Sequence, residues 1–203
     1  MEMILATLED MARPKHELEQ WTTPPEIASS MLIYAYECGD IEGKVCADFG
    51  CGNGILAIGM GLLGARRVIA IEIDSDALGV ASRNKRKIED MYCLPPIQFI
   101  HADVRRVKLR CDTILMNPPF GVERETRHAD RYFLSKAFEC SDVIYSLHYS
   151  SEASRRFILS LANEYGFSGE VIATFRFPLR MRFWFHRRHV KSICVDFYVF
   201  RKV

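Results

Sequence analysis

The chain has 203 residues, 49% of them hydrophobic, and a formal net charge of +1 at pH 7, which gives enough apolar material for one domain, spanning 1–203, with a full core. The N-terminus "MEMILATLED" carries acids at positions 2, 9 and 10 and no long apolar run, so neither a secretory signal nor a membrane span is expected, and a soluble cytoplasmic protein is. Seven cysteines, an odd number without a C-x-x-C pair, argue for reduced thiols over a disulfide frame or a zinc site, and the six histidines add no metal-ligand spacing.

In chain order, "TTPPEIASSMLIYAYECG" reads as a helix with proline at its first positions, Glu26 in its first turn and Gly39 as its stop. Short apolar runs then alternate with helical patterns. Strands are predicted at 45–49 ("VCADF"), 68–72 ("VIAIE"), 97–100 ("IQFI"), 113–116 ("TILM") and 143–147 ("VIYSL"). Helices are predicted at 55–64, at 75–90 with Ser75 as N-cap, at about 130–140, and at 151–165 closed by Gly166. This alternation predicts an α/β fold, a doubly wound and mostly parallel sheet covered on both faces. Two long aromatic strands, 170–177 and 192–200, lack a strong helix between them and are expected to pair as an antiparallel hairpin at one edge.

"DFGCGNG" (48–54) follows the first strand and opens the first buried helix. Its glycines let backbone come close to a ligand and point the helix N-terminus at an anion. A dinucleotide cradle wants a third small residue at 55, where this chain has Ile55, so a pyrophosphate and with it a nicotinamide cofactor are disfavoured. Glu72, 22 positions after Gly50, can accept both hydroxyls of a ribose, and Asp103 in "HADV" can accept from an adenine amino group. Asp74 and Asp76 are read as acids that solvate a strand end and cap the next helix. A nucleoside with an amino-acid tail, S-adenosylmethionine, fits this pattern, with its carboxylate at the helix dipole near Ile55.

"MNPPF" ends the fourth strand at the carboxyl edge of the sheet, where ligands sit in open α/β folds. Pro118 and Pro119 freeze the turn. The Asn117 side-chain oxygen and the Pro118 carbonyl are then fixed acceptors for the two hydrogens of a planar exocyclic amine, and Phe120 offers its face to the ring carrying it. Such an amine is a poor nucleophile until its lone pair is released from conjugation, so positioning matters more than a base.

These residues resemble the class I S-adenosylmethionine-dependent methyltransferases that modify exocyclic amines. The chain is most similar to the methyltransferase-like family acting on adenine N6 of small-subunit rRNA, in an archaeal-type version, through "LEQWTTPPEIASSML", "DFGCGNGILAIG", "EIDSDAL", "MNPPFG", "IYSLHYSS" and "FHRR". The resemblance implies a seven-stranded sheet with the final hairpin at one edge, and an N-terminal segment (1–40) that contributes to the cofactor site. It implies cofactor contacts from Gln20, Thr23, Asp48, Gly50, Gly52, Asn53, Ile55, Glu72, Asp103 and Asn117. Trp21-Thr22 replaces the family's usual Tyr-Pro, Asn53 stands where Cys is common, and Glu72 replaces Asp. Eukaryotic members carry a small zinc-binding activator subunit.

Charge separates the two halves: residues 1–100 hold 9 Lys/Arg against 15 Asp/Glu, and residues 101–203 hold 18 against 11. No acid occurs from Val171 to Val195. Within that stretch Phe175 and Phe177 are read as core, and "RMRFWFHRR" (Arg180, Arg182, Trp184, His186, Arg187, Arg188) as a segment touching RNA, cations for phosphates and aromatics for unstacked bases. Arg124, Arg127, His128 and Arg131, directly after "NPPF", are read as a lid over the target nucleotide. A base must leave its stack to enter such a site, so single-stranded or looped RNA is the expected substrate. The third strand is expected at the open edge of the sheet, where an activator could add a strand. Guanine N2 or glutamine N5 as the methylated amine, or a non-catalytic RNA-binding module, are the alternatives.

Overall fold

The computed structural model describes residues 1–121, 126, 129–180 and 190–203, with the side chains of 180, 190 and 191 outside the description. The seven predicted apolar runs are all strands: β1 (Val45–Phe49), β2 (Arg67–Glu72), β3 (Ile97–His101), β4 (Thr113–Met116), β5 (Val143–Tyr149), β6 (Phe167–Arg180) and β7 (Val190–Lys202). They form one sheet in the order β3-β2-β1-β4-β5-β7-β6. The first five are parallel, β7 runs antiparallel to β5, and β6 antiparallel to β7.

A run such as "TILM", in which all four residues of β4 are buried, needs cover on both faces of the sheet. On one face α2 (Pro25–Glu37), α3 (Ile55–Leu62) and α4 (Ser75–Glu89) contribute Met31, Leu32, Ile58 and Ile88. On the other, α5 (Ala129–Cys140) and α6 (Glu152–Glu164) contribute Leu134, Phe138, Ile158 and Ala162. The α2–α3 contact is close enough that a Cβ on Gly59 would stand 2.2 Å from Leu32 Cδ1.

The helix boundaries differ from expectation in instructive ways. Of the two caps expected, Asp74 and Ser75, it is Asp74 that takes the N-cap position of α4, its carboxylate accepting from Asp76 N–H at 3.1 Å with its charge at the positive end of the helix. Helix α3 ends at Leu62, just before Gly64 at φ +81°. Two further elements, α1 (Glu2–Leu5) and a 3₁₀ turn at His16–Leu18, are too short to leave a periodic signature; Leu5 nonetheless enters the core. Strand β6 begins three residues earlier than its apolar run, since pairing with β7 carries it through Phe167–Gly169.

The chain leaves β1 toward β2 and β3 and returns to β4 on the opposite side of β1. Connections therefore diverge between β1 and β4, opening a crevice at their carboxyl ends. Farther along the sheet, the fully buried Asp196 of β7 accepts from Arg155 of α6 at 2.7 and 2.8 Å and from Thr174 of β6 at 2.7 Å. Burial pushes its carboxyl up, and these donors outweigh burial and hold it below the usual range. The pair pins the C-terminal hairpin to α6. His148, from the "YSLHYSS" stretch, is buried on β5 beside Ser146 Oγ at 2.8 Å, and burial lowers its pKa to about 3.

Candidate active site

The crevice holds a cavity of about 250 Å³, and all ten positions expected to contact a cofactor line it. Gly50, Gly52 and Gly54 after β1 take φ of +73°, +52° and +84°, conformations that L side chains enter reluctantly. A Cβ on Gly50 would also meet the ring of Phe133 at 3.1 Å, so α5 presses directly on the glycine turn.

Glu72 closes β2 at the centre of this arrangement. One carboxylate oxygen accepts from Gly52 N–H at 2.9 Å; the other accepts from Ile73 and Asp74 N–H at 2.9 and 3.0 Å. Burial raises its carboxyl above the ordinary range, although the three N–H groups pull it down. Ile73, half exposed and also on the cavity wall, was missed in the sequence; the lone apolar residue in "EID" was the available signal.

Asp48 is buried beneath the turn and accepts from Ala57 N–H at 3.0 Å. Burial pushes its carboxyl up to about 8, the Ala57 bond opposes this, and the charge of Glu72 adds to it. A carboxyl raised in the fold contributes stability fully below its unfolded pKa near 4 and loses it as pH rises through 8. Asp48→Asn keeps the acceptor and removes the titration. The variant is expected to show a shallower decline in unfolding free energy between pH 5 and 8, the Asp48 share of which reaches about 1.4 kcal/mol per pH unit in the wild type, as read by urea denaturation across that range. Parallel pH profiles for the two proteins would refute this.

Several expected contacts are spent within the protein. Asn53 donates to the Glu9 carbonyl at 3.1 Å and accepts from Ile55 N–H at 3.3 Å, so it ties down the N-terminal segment and satisfies the first N–H of α3, whose N-cap position is Gly54. Asp103 accepts from the Arg105 guanidinium at 2.9 and 2.5 Å and from its N–H at 2.9 Å, which holds its carboxyl below the usual range. An adenine amine would have to share that carboxylate with Arg105. Asp74 does more than cap α4: nearly buried, it accepts from Lys15 Nζ at 2.6 Å and Gln20 Nε2 at 2.7 Å, fixing the N-terminal segment over the glycine turn. The exposed Asp76 carboxylate lies 3.3 Å from Lys15 Nζ.

At the other wall, Asn117 donates through Nδ2 to the Trp21 carbonyl at 3.2 Å and to Thr23 Oγ1 at 3.0 Å. Its Oδ1 is buried and has no hydrogen-bond partner among the described residues. A buried oxygen without a donor is costly unless a ligand supplies one. Pro119 lines the cavity and Pro118 is buried. Phe120 departs from expectation: its ring is 8% exposed and meets Phe177 edge to face at 5.3 Å, so it is seated in the core, where apolar burial outweighs display to a base. Phe177 and Phe175 join the same core cluster, as the sequence reading holds.

Of the residues assigned to RNA, Arg131 of α5 places its guanidinium 4.2 Å over the Phe157 ring, a cation–π contact that occupies it within the protein. Arg124, Arg127, His128, Arg182, Trp184, His186, Arg187 and Arg188 lie outside the described residues, as does the side chain of Arg180.

The arrangement has counterparts among known proteins. The methyltransferase small domain family matches residues 25–140. The chain is 36% identical to the rRNA N(6)-adenosine-methyltransferase Mettl5 of Drosophila melanogaster, over 98% of this chain and 94% of that protein. It is likewise 36% identical to the rRNA N(6)-adenosine-methyltransferase METTL5 of Danio rerio, over 97% and 95%. A crystal structure from Pyrococcus horikoshii, described as a candidate RNA methyltransferase, superposes with a TM-score of 0.89 at 42% identity, covering all of this chain and 96% of that one.

Proposed function

The chain belongs to the methyltransferase small domain family, and from that membership we propose that it transfers a methyl group from S-adenosylmethionine to the N6 amine of an adenosine in small-subunit ribosomal RNA, in the cytoplasm. The observation that carries this reading is the buried Oδ1 of Asn117 on the cavity wall, which has no donor among the described residues. The residues present fit the cofactor. Glycines at positive φ allow close approach, the Glu72 oxygen that accepts, among the described residues, only from Gly52 N–H keeps one lone pair for a ribose hydroxyl, and Ile73 gives an apolar surface for the adenine. When bound, S-adenosylmethionine supplies an electrophilic methyl on sulfur.

The chain's own residues prepare the amine. Asn117 Oδ1 accepts one of its hydrogens, and the Pro118 carbonyl, held by the diproline backbone, accepts the second. Two fixed acceptors draw the nitrogen toward pyramidal geometry and free its lone pair. The nitrogen is acidic once methylated, and its proton leaves to water or by way of the Asn117 oxygen. The basic aromatic segment 180–188 and the arginines after Phe120 hold the RNA strand in this reading.

Incubating the protein with ribosomal RNA and methyl-labelled S-adenosylmethionine, then analysing digested nucleosides by mass spectrometry, tests the proposal. N6-methyladenosine is expected; N2-methylguanosine, or label confined to protein glutamine, would replace it with one of the related amine chemistries. Among the described residues no helix is long and apolar enough to cross a membrane. Strand β3 pairs on one side with β2 and ends the sheet, with Phe99 and Ile100 half buried, which supports an added strand there from a zinc-binding activator. Absence of co-elution with such a partner in gel filtration would remove that part.

A further inference from the structure

Glu19 combines three properties that rarely coincide. It is a buried acid, 4% exposed. Its backbone sits at φ +46°, ψ +47°, and among the described residues it alone, apart from glycines, has a positive φ, a region where a residue with a Cβ persists only when its surroundings enforce it. Its carboxylate also lines the cavity together with Asn117 and Thr126.

The contacts explain what is enforced. One Glu19 oxygen accepts from Gly121 N–H at 3.1 Å, and the other accepts from the Thr126 hydroxyl. Its own carbonyl accepts from Trp21 N–H at 2.7 Å, a tight turn that aims the Trp21 carbonyl and Thr23 hydroxyl at Asn117 Nδ2. The bonds close a ring: Asn117 to residues 21–23, back along the chain to Glu19, across to Gly121, and through Pro119 and Pro118 to Asn117 again. With both Nδ2 hydrogens so engaged, the amide oxygen is the atom left for a ligand. A buried carboxylate is tolerated only when well bonded, and the bonds to Gly121 and Thr126 contribute to keeping Glu19 inside.

We propose that Glu19 is a positioning residue for methyl transfer, its carboxylate locking the Asn-Pro-Pro-Phe turn to the 19–23 strap so that Asn117 holds its oxygen toward the target amine. This rests on the function proposed above and names a residue outside the motif as the one that sets the motif's geometry. Because Gln20 is anchored separately by Asp74, loss of Glu19 acts on turnover more than on cofactor affinity.

The test compares Glu19→Ala, Glu19→Gln and Thr126→Val by kcat, by the Kd of S-adenosylmethionine, and by hydrogen exchange at the Gly121 amide. Glu19→Ala is expected to lower kcat about 10- to 100-fold, as small misplacements of reacting groups do, with Kd within about threefold, and to deprotect the Gly121 amide. Glu19→Gln can accept from Gly121 and donate to the Thr126 oxygen, and is expected to recover kcat to within about threefold of the wild type. Thr126→Val is expected to fall in the same direction as Glu19→Ala, and the double variant to be no worse than Glu19→Ala alone. Should Glu19→Ala not fold, the Gln and Val variants carry the comparison. Unchanged kcat in Glu19→Ala, equal losses in the Ala and Gln variants, or a parallel loss of cofactor affinity would overturn the proposal. A wild type that methylates a different amine would overturn the adenosine reading and leave the Glu19 comparison intact on that substrate. Protection at Gly121 does not depend on either.

Discussion

Replacing Asn117 with alanine is expected to lower kcat about 10²- to 10³-fold while leaving the fold intact and the Kd of S-adenosylmethionine within about tenfold. The size follows from what one preorganised hydrogen-bonding group is worth in a water-excluded site. Oδ1 stands buried without a donor among the described residues, so the protein carries the cost of that unsatisfied lone pair until an amine satisfies it, and the interaction is realised when the amine is held for reaction. Alanine removes this acceptor and also releases Trp21 and Thr23 from Nδ2. Thr23→Val removes one of the two Nδ2 anchors and leaves the oxygen in place, and is expected to cost about tenfold. Steady-state kinetics with the RNA substrate, alongside calorimetry for the cofactor, separate the effects. An Asn117→Ala protein with near wild-type kcat would remove the amide from the chemistry.

Replacing Glu72 with alanine is expected to weaken S-adenosylmethionine binding by about 100-fold and to lower thermal stability together with it. Three backbone N–H groups converge on this carboxylate at 2.9, 2.9 and 3.0 Å. Bonds to a charged partner contribute roughly 1.5–3 kcal/mol each, and orphaned buried donors cost a similar amount. Alanine strands all three at once and deletes the proposed acceptor for the ribose. Glutamine retains one acceptor oxygen and turns an N–H₂ toward a backbone donor, so an intermediate loss of about tenfold is expected. Isothermal calorimetry and thermal unfolding of both variants check the pair of effects. A Kd within threefold of the wild type for Glu72→Ala would show that the carboxylate serves the glycine turn alone.

The sequence by itself determined the sheet, the position of the crevice and ten of the residues on its walls. Strands buried on both faces leave continuous apolar runs, and helices between them leave a distinct period; "TILM" and "VCADF" could therefore be read directly, and the residues at their carboxyl ends followed from the topology. Chemistry carried by residue type, as in Asn117 or the glycine turn, was legible for the same reason. What only the tertiary structure decided was how each polar side chain spends its hydrogen bonds. Asn53 and Asp103 look like free ligands in the chain, yet each is engaged by groups distant or adjacent that folding brings within 3.1 Å, and Asp74, read as a helix cap, also holds Lys15 and Gln20. Phe120 looked displayed and is packed on Phe177, 57 positions away along the chain. Glu19 gave no chemical signal of its own in the chain, because the groups its carboxylate meets, Gly121 and Thr126, lie more than 100 residues away. Periodicity and residue type record local backbone preference, whereas hydrogen-bond partners in a buried site are set by packing between segments far apart in sequence, and no local pattern encodes that.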